Sequence, residues 1–146
     1  MVNVDIIISK AAAVKRHLSR IASKADTDLQ TFAANLDLQE SILFNLQMSI
    51  QNCIDIAAHI ISDESLGIAG SNNEMFYILE ENGYISQDIT EKMVKSIGFR
   101  NLIVHEYVKL DLKQVFQVAK TDISDLYDFL KAIFAKVNIS LSDIKK

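Results

Sequence analysis

Proline is absent from the chain, and glycine occurs only four times in 146 residues. Turn-rich β architectures draw on both residues, whereas long helices exclude proline and are weakened by glycine. Cys53 is the single cysteine, so an intrachain disulfide and a multi-cysteine zinc site are excluded. No apolar run approaches the roughly 20 residues that span a bilayer. The opening "MVNVDIIISKAAAVKRHLSR" has no basic region ahead of its apolar stretch, unlike a secretory leader. The expectation is a cytoplasmic protein with no membrane segment. Positive charge is also scarce, 15 Lys and Arg against 19 Asp and Glu, for a net charge of −4. Electrostatics alone therefore do not mark a nucleic-acid binder, and an anionic substrate would need a local basic patch.

What is present is helical periodicity. Ile7, Ala11, Val14, Leu18 and Ile21 recur every three or four residues, which predicts an amphipathic helix from Val4 to Lys24. A polar, less regular stretch follows from Ala25 to Leu36. Asp37 and Glu40 then have the spacing of a capping pair. Behind them, Leu43, Leu46, Ile50, Cys53, Ala57 and Ile60 mark a helix about 40 Å long. "LGIAGSNN" predicts a loop; its "GIAG" lacks the Lys-Ser/Thr ending of a phosphate loop and reads as a turn. Ser71 with Glu74 predicts a short helix that Gly83 ends, and Ser86 or Asp88 starts the next. Asp111 is placed to cap a last helix bearing Leu112, Val115, Phe116, Ala119, Ile123, Leu126, Phe129, Leu130 and Ile133. The expected fold is an all-α bundle of four to five helices, one domain over residues 1–137, with 138–146 as a frayed tail.

One stretch departs from ordinary core composition. "GFRNLIVHEY", residues 98 to 107, places Arg100, Asn101, His105 and Tyr107 among apolar residues. On a continuous helix from Glu91 to Leu110, Met93, Val94, Val104 and Val108 flank Ile97, while Phe99, Leu102 and Ile103 lie roughly opposite. Two apolar sides imply that one faces the chain's own core and the other a partner, such as a second copy. Arg100 and Tyr107 fall on one edge, and His105 on the other, about 140° from Arg100. They converge only if the helix bends or ends nearby, or if a two-fold dimer joins both edges in a shared cleft.

On "IQNCIDIAAHII", "FYILEENGYI" and "GFRNLIVHEY", the chain resembles HepT-type HEPN proteins, the ribonuclease toxins of prokaryotic toxin–antitoxin pairs. The resemblance runs from about Leu38 to Val137. It implies an all-α HEPN-like bundle that forms a homodimer, with Arg-x4-His-x-Tyr on a late helix, an RNA substrate and no metal or other cofactor. It also implies Arg100, Asn101 and His105 as catalytic residues. The implied partner is a small MntA-like nucleotidyltransferase antitoxin that transfers AMP to Tyr107.

The chemistry suits those residue types. RNA is cut without a metal when its own 2′-hydroxyl attacks the adjacent phosphorus. Imidazole exchanges protons near neutral pH, so His105 fits the base or the acid. The fork of Arg100 matches two phosphate oxygens and stabilises charge that builds in the transition state. The competing reading is a non-catalytic helical binding module that docks to, or presents nucleotide to, a nucleotidyltransferase. Elsewhere, His59 in "IAAHII" reads as a satisfied core or interface histidine. His17, with Lys15, Arg16 and Arg20, reads as a solvated basic edge. Lys92, Lys95, Lys109 and Lys113 are candidates for a basic patch around the motif, and Cys53 reads as packing.

Overall fold

The computed structural model describes residues 1–140 and contains no strand among them. Five helices have ten or more residues: α1 (Val4–Lys24), α3 (Leu36–Asp63), α4 (Asn72–Glu81), α5 (Gln87–His105) and α7 (Ser124–Val137). Two short ones, α2 (Leu29–Ala33) and α6 (Leu112–Gln117), lie between them. The expected all-α bundle is borne out.

Helix α1 matches its expected bounds, and all five of its periodic apolar residues are fully buried. It lies antiparallel along α3, held by polar contacts at three levels. Asp63 Oδ2 accepts from the Asn3 N–H at 2.9 Å, Lys10 Nζ donates to Asp55 Oδ2 at 3.2 Å, and His17 Nδ1 lies 2.8 Å from Asn45 Oδ1. His17 is thus half-buried and partnered, its ring edge-on to Phe44, rather than part of a solvated basic edge.

The stretch expected to be irregular contains α2, capped by Asp28, whose Oδ1 accepts from the Thr31 N–H at 2.7 Å. Phe32 is fully buried there, with its ring centroid 5.2 Å from that of Phe116. The amide of Gln39 donates to the carbonyls of Phe32 and Ala33, which ties the end of α2 to α3. Helix α3 starts two residues earlier than expected from Asp37. Its cap is Asn35, whose Oδ1 accepts from the Leu38 N–H at 3.0 Å. Along α3, buried Asn45, Ser49 and Asn52 each donate to a carbonyl four residues back, so these polar groups sit inside without loss of pairing.

Ser71 caps α4, and Glu74 reaches back past it to accept from the Gly70 N–H at 2.7 Å. Gly83, at φ 77, then turns the chain out of the helix, while the Tyr84 N–H bonds to Leu79 O at 2.9 Å. This left-handed exit is the conformation for which glycine is suited. The last helix is not continuous. A π-helical segment at Val118–Asp122 joins α6 to α7, and buried Ala119 lies within it. At the end of α7, Asn138 adopts φ 59 and Ile139 is buried. The remainder of the expected tail, 141–146, lies outside the described residues.

Candidate functional site

Helix α5 begins at Ser86, whose hydroxyl accepts from the Ile89 N–H at 3.2 Å. Its buried positions are Thr90, Met93, Ile97, Phe99 and Ile103. At 100° per residue they trace one inner arc of about 180° rather than two separate sides. Phe99 and Ile103, on the side opposite Ile97, are covered by the chain's own core as Ile97 is, at 6% and 7% exposure. Arg100 falls inside this arc, between the Met93–Ile97 flank and the Phe99–Ile103 flank. The opposite strip is exposed and carries Glu91, Lys95, Gly98, Asn101 and His105.

The side chain of Arg100 runs from inside outward. Its Nε is buried without a hydrogen-bond partner, whereas the two terminal nitrogens are engaged. Nη2 donates to Gln51 Oε1 of α3 at 2.8 Å, and Nη1 donates to Asn101 Oδ1 at 3.1 Å in an exposed contact. A guanidinium presents five N–H donors, so these two bonds leave donors available for an anion. Asn101 is exposed, not a buried packing amide.

The helix ends sooner than the continuous run to Leu110 expected from sequence. His105 is its last residue and is exposed. The Glu106 N–H closes the final turn on Leu102 O at 3.0 Å, and Tyr107–Lys109 forms a separate 3-10 turn. Arg100 and Tyr107 therefore do not share one helix edge. Tyr107 is half exposed and Val108 almost fully so. The structure thus brings Arg100 and Asn101 into contact, sets His105 five residues on along the outer strip, and places Tyr107 just beyond the helix end.

Of the four lysines proposed as a basic patch, Lys92 bonds to Asp88 at 3.0 Å and Lys109 to Glu106 at 3.3 Å, whereas Lys95 and Lys113 are exposed. A cleft of about 450 Å³ opens beside the outer strip, between α3, α5 and the π-helical segment. Lys95, Gly98, Phe99, Leu102 and Gln114 line it, and none of the four motif residues does. His59 lies away from the motif, against Asp5, Ser9 and Lys10 of α1. Burial pushes the Cys53 thiol far up, as befits a packing residue. No three His, Cys, Asp or Glu side chains among the described residues gather as a metal-ligand set, and no described helix is long and apolar enough to cross a membrane.

Sequence reasoning missed Gln51, the partner that α3 supplies to Arg100. Its signal was faint: Gln51 and Asp55 stand four residues apart, a polar pair on the outer side of an otherwise apolar helix.

Fold and motif together define an all-α bundle that offers an arginine and a histidine on a late helix, with a tyrosine just past its end. The family described as Ribonuclease HepT-like matches residues 14–133, and the chain belongs to it. An mRNA nuclease HepT of Shewanella oneidensis is 37% identical over 90% of this chain and 98% of its own. A tRNA nuclease HepT of Aphanizomenon flos-aquae is 29% identical over 80% of each chain. Among solved structures, a tri-AMPylated HEPN toxin of Shewanella oneidensis in complex with MNT antitoxin superposes with a TM-score of 0.84 at 37% identity. That alignment covers 90% of this chain and 98% of the other. The resemblance carried by "GFRNLIVHEY" is borne out.

Proposed function

We propose that the protein is the toxin of a toxin–antitoxin pair and cleaves RNA without a metal, in a cleft formed by two copies of the chain. The observation that carries this reading is the posture of Arg100. Its guanidinium is drawn out to the surface by Gln51 and Asn101, with donors to spare, five residues before the exposed His105.

In this mechanism Arg100 binds the scissile phosphate and stabilises the negative charge of the phosphorane. The 2′-hydroxyl loses its proton to one imidazole as its oxygen attacks phosphorus. The departing 5′-oxygen takes a proton from an acid, and the products are a cyclic 2′,3′-phosphate and a free 5′-hydroxyl. One chain supplies one His105, so a homodimer provides the second titrating group. Asn101 steadies the guanidinium beside the phosphate.

Control falls to a MntA-like nucleotidyltransferase antitoxin that transfers AMP to Tyr107. The toxin–antitoxin relatives and the exposure of Tyr107 support this. An adenylyl group adds a negative charge and bulk at the end of the motif helix, where it opposes RNA phosphates.

Expression of the wild type and of His105→Ala, each without a partner gene, tests the reading. The wild type is expected to arrest growth and fragment RNA, and the variant to do neither at equal expression. Intact RNA and normal growth with both would favour the non-catalytic binding module. Sedimentation that finds a fully active monomer would remove the shared cleft.

A further inference from the structure

The contacts behind Arg100 form a chain across three helices. Lys10 of α1 donates to Asp55 Oδ2 at 3.2 Å; Asp55 Oδ1 accepts from Gln51 Nε2 at 3.0 Å; Gln51 Oε1 accepts from Arg100 Nη2 at 2.8 Å. The direction of the Gln51 amide follows from its neighbours. A carboxylate only accepts and a guanidinium only donates, so the NH2 faces Asp55 and the oxygen faces Arg100.

We infer that Gln51 is a positioning residue that holds Arg100 in place as an unneutralised cation ready for an RNA phosphate. This rests on the phosphate-binding role proposed for Arg100. A carboxylate at position 51 would hold the guanidinium equally well but would cancel its charge. The neutral amide separates the two tasks. It fixes the fork through one strong hydrogen bond and also stands between Arg100 and Asp55. Asp55 finds its counter-ion in Lys10 instead. Among the described residues, no carboxylate lies within ion-pair reach of Arg100. The buried Nε has no partner, so among the described residues the bond to Gln51 is the only one that ties the guanidinium to a second helix. In an acidic protein of net charge −4, an arginine shielded from carboxylates is a local reserve of positive charge.

Two substitutions of similar length separate charge from hold. Gln51→Glu places a carboxylate against Arg100, and Gln51→Met keeps the volume and removes the acceptor. Cleavage is measured on a defined RNA, and binding of the same RNA is measured with His105→Ala as the parent across a salt series. For Gln51→Glu the expected result is a fall in kcat/KM of about 30-fold or more, with weaker RNA binding and a log–log salt slope smaller by about one. Gln51→Met is expected to lower kcat about tenfold with little change in KM or salt slope, because the charge stays while its placement is lost. A purely structural role would instead lower the urea midpoint and leave the salt slope alone. Wild-type kinetics and salt slope in Gln51→Glu would overturn the inference. If that variant folds poorly, Gln51→Met decides: wild-type kcat overturns the inference, and a kcat loss at unchanged KM upholds it. Absence of RNA binding and cleavage in the unsubstituted protein would overturn the ribonuclease reading and this inference with it.

Discussion

Arg100 and Tyr107 stand on different elements. Helix α5 closes at His105, and Tyr107 opens a 3-10 turn beyond it, so the proposed modification target is offset from the edge that carries the guanidinium. The modification and the phosphate binding proposed above thus involve separate pieces of backbone, and each can be altered alone.

Tyr107→Phe removes only the hydroxyl from a half-exposed ring. The variant is expected to keep its toxicity and to gain no adenylyl group when the antitoxin is co-expressed. Intact-mass and peptide spectrometry check this; AMP on another residue in the wild type would defeat the assignment.

Arg100→Lys keeps the charge but cannot bridge Gln51 and Asn101 with a planar fork. A loss of about 100-fold in kcat/KM is expected, in line with removal of a preorganised charge stabiliser, with the fold unchanged by circular dichroism. Activity within a few-fold of wild type would mean that only net charge matters at position 100.

Gly98 lies within α5 on the exposed strip, and a Cβ added there meets nothing within 4 Å. Gly98→Ala is expected to stabilise the monomeric fold by about 0.5–1 kcal/mol, because alanine gives up less backbone freedom in a helix. Urea unfolding measures it. If stability rises while cleavage falls, something packs closely on that strip in the active form, as a second copy of the chain would.

Cys53 is fully buried, and its thiol is held in the neutral form by desolvation. The native protein is expected to resist thiol-directed reagents at neutral pH, with labelling that tracks unfolding as urea is raised. Fast labelling without denaturant would show an opening of α3 that the packing does not suggest.

Where one face of a helix meets the core, its residues are legible in the sequence. Ile7, Ala11, Val14, Leu18 and Ile21 are the pattern itself, and α1 follows it residue for residue. Short elements hide because five residues cannot display a period, so the sequence around α2 and its buried Phe32 shows no helix. Asn35 caps α3 although Asp37 and Glu40, two residues on, have the spacing of a capping pair. On α5 the motif residues were recognisable, but the arc was not. A half-buried arginine in the middle of an apolar face makes one wide face look like two, and only its partner on α3 resolves the difference. The end of α5 carries no proline or glycine to announce it, and the π-helical segment at Val118–Asp122 has no signature in composition.

The two ends of the motif differ in how they open. Arg100 lies within α5 and bonds to Gln51 of α3, a long helix in the core, so the backbone that carries it opens with the core. Tyr107 sits in a turn closed by backbone bonds from the Lys109 N–H to Glu106 O at 2.8 Å and from the Leu110 N–H to Tyr107 O at 3.2 Å, plus an exposed ion pair. Such a turn opens at low free-energy cost, whereas core helices open only near the full stability of the domain. In hydrogen exchange, the amides around Tyr107 should trade with solvent through frequent local excursions while those around Gln51 remain protected. Under the proposed control by AMP transfer, this difference would let a transferase draw the tyrosine into its own active site while the arginine keeps its place.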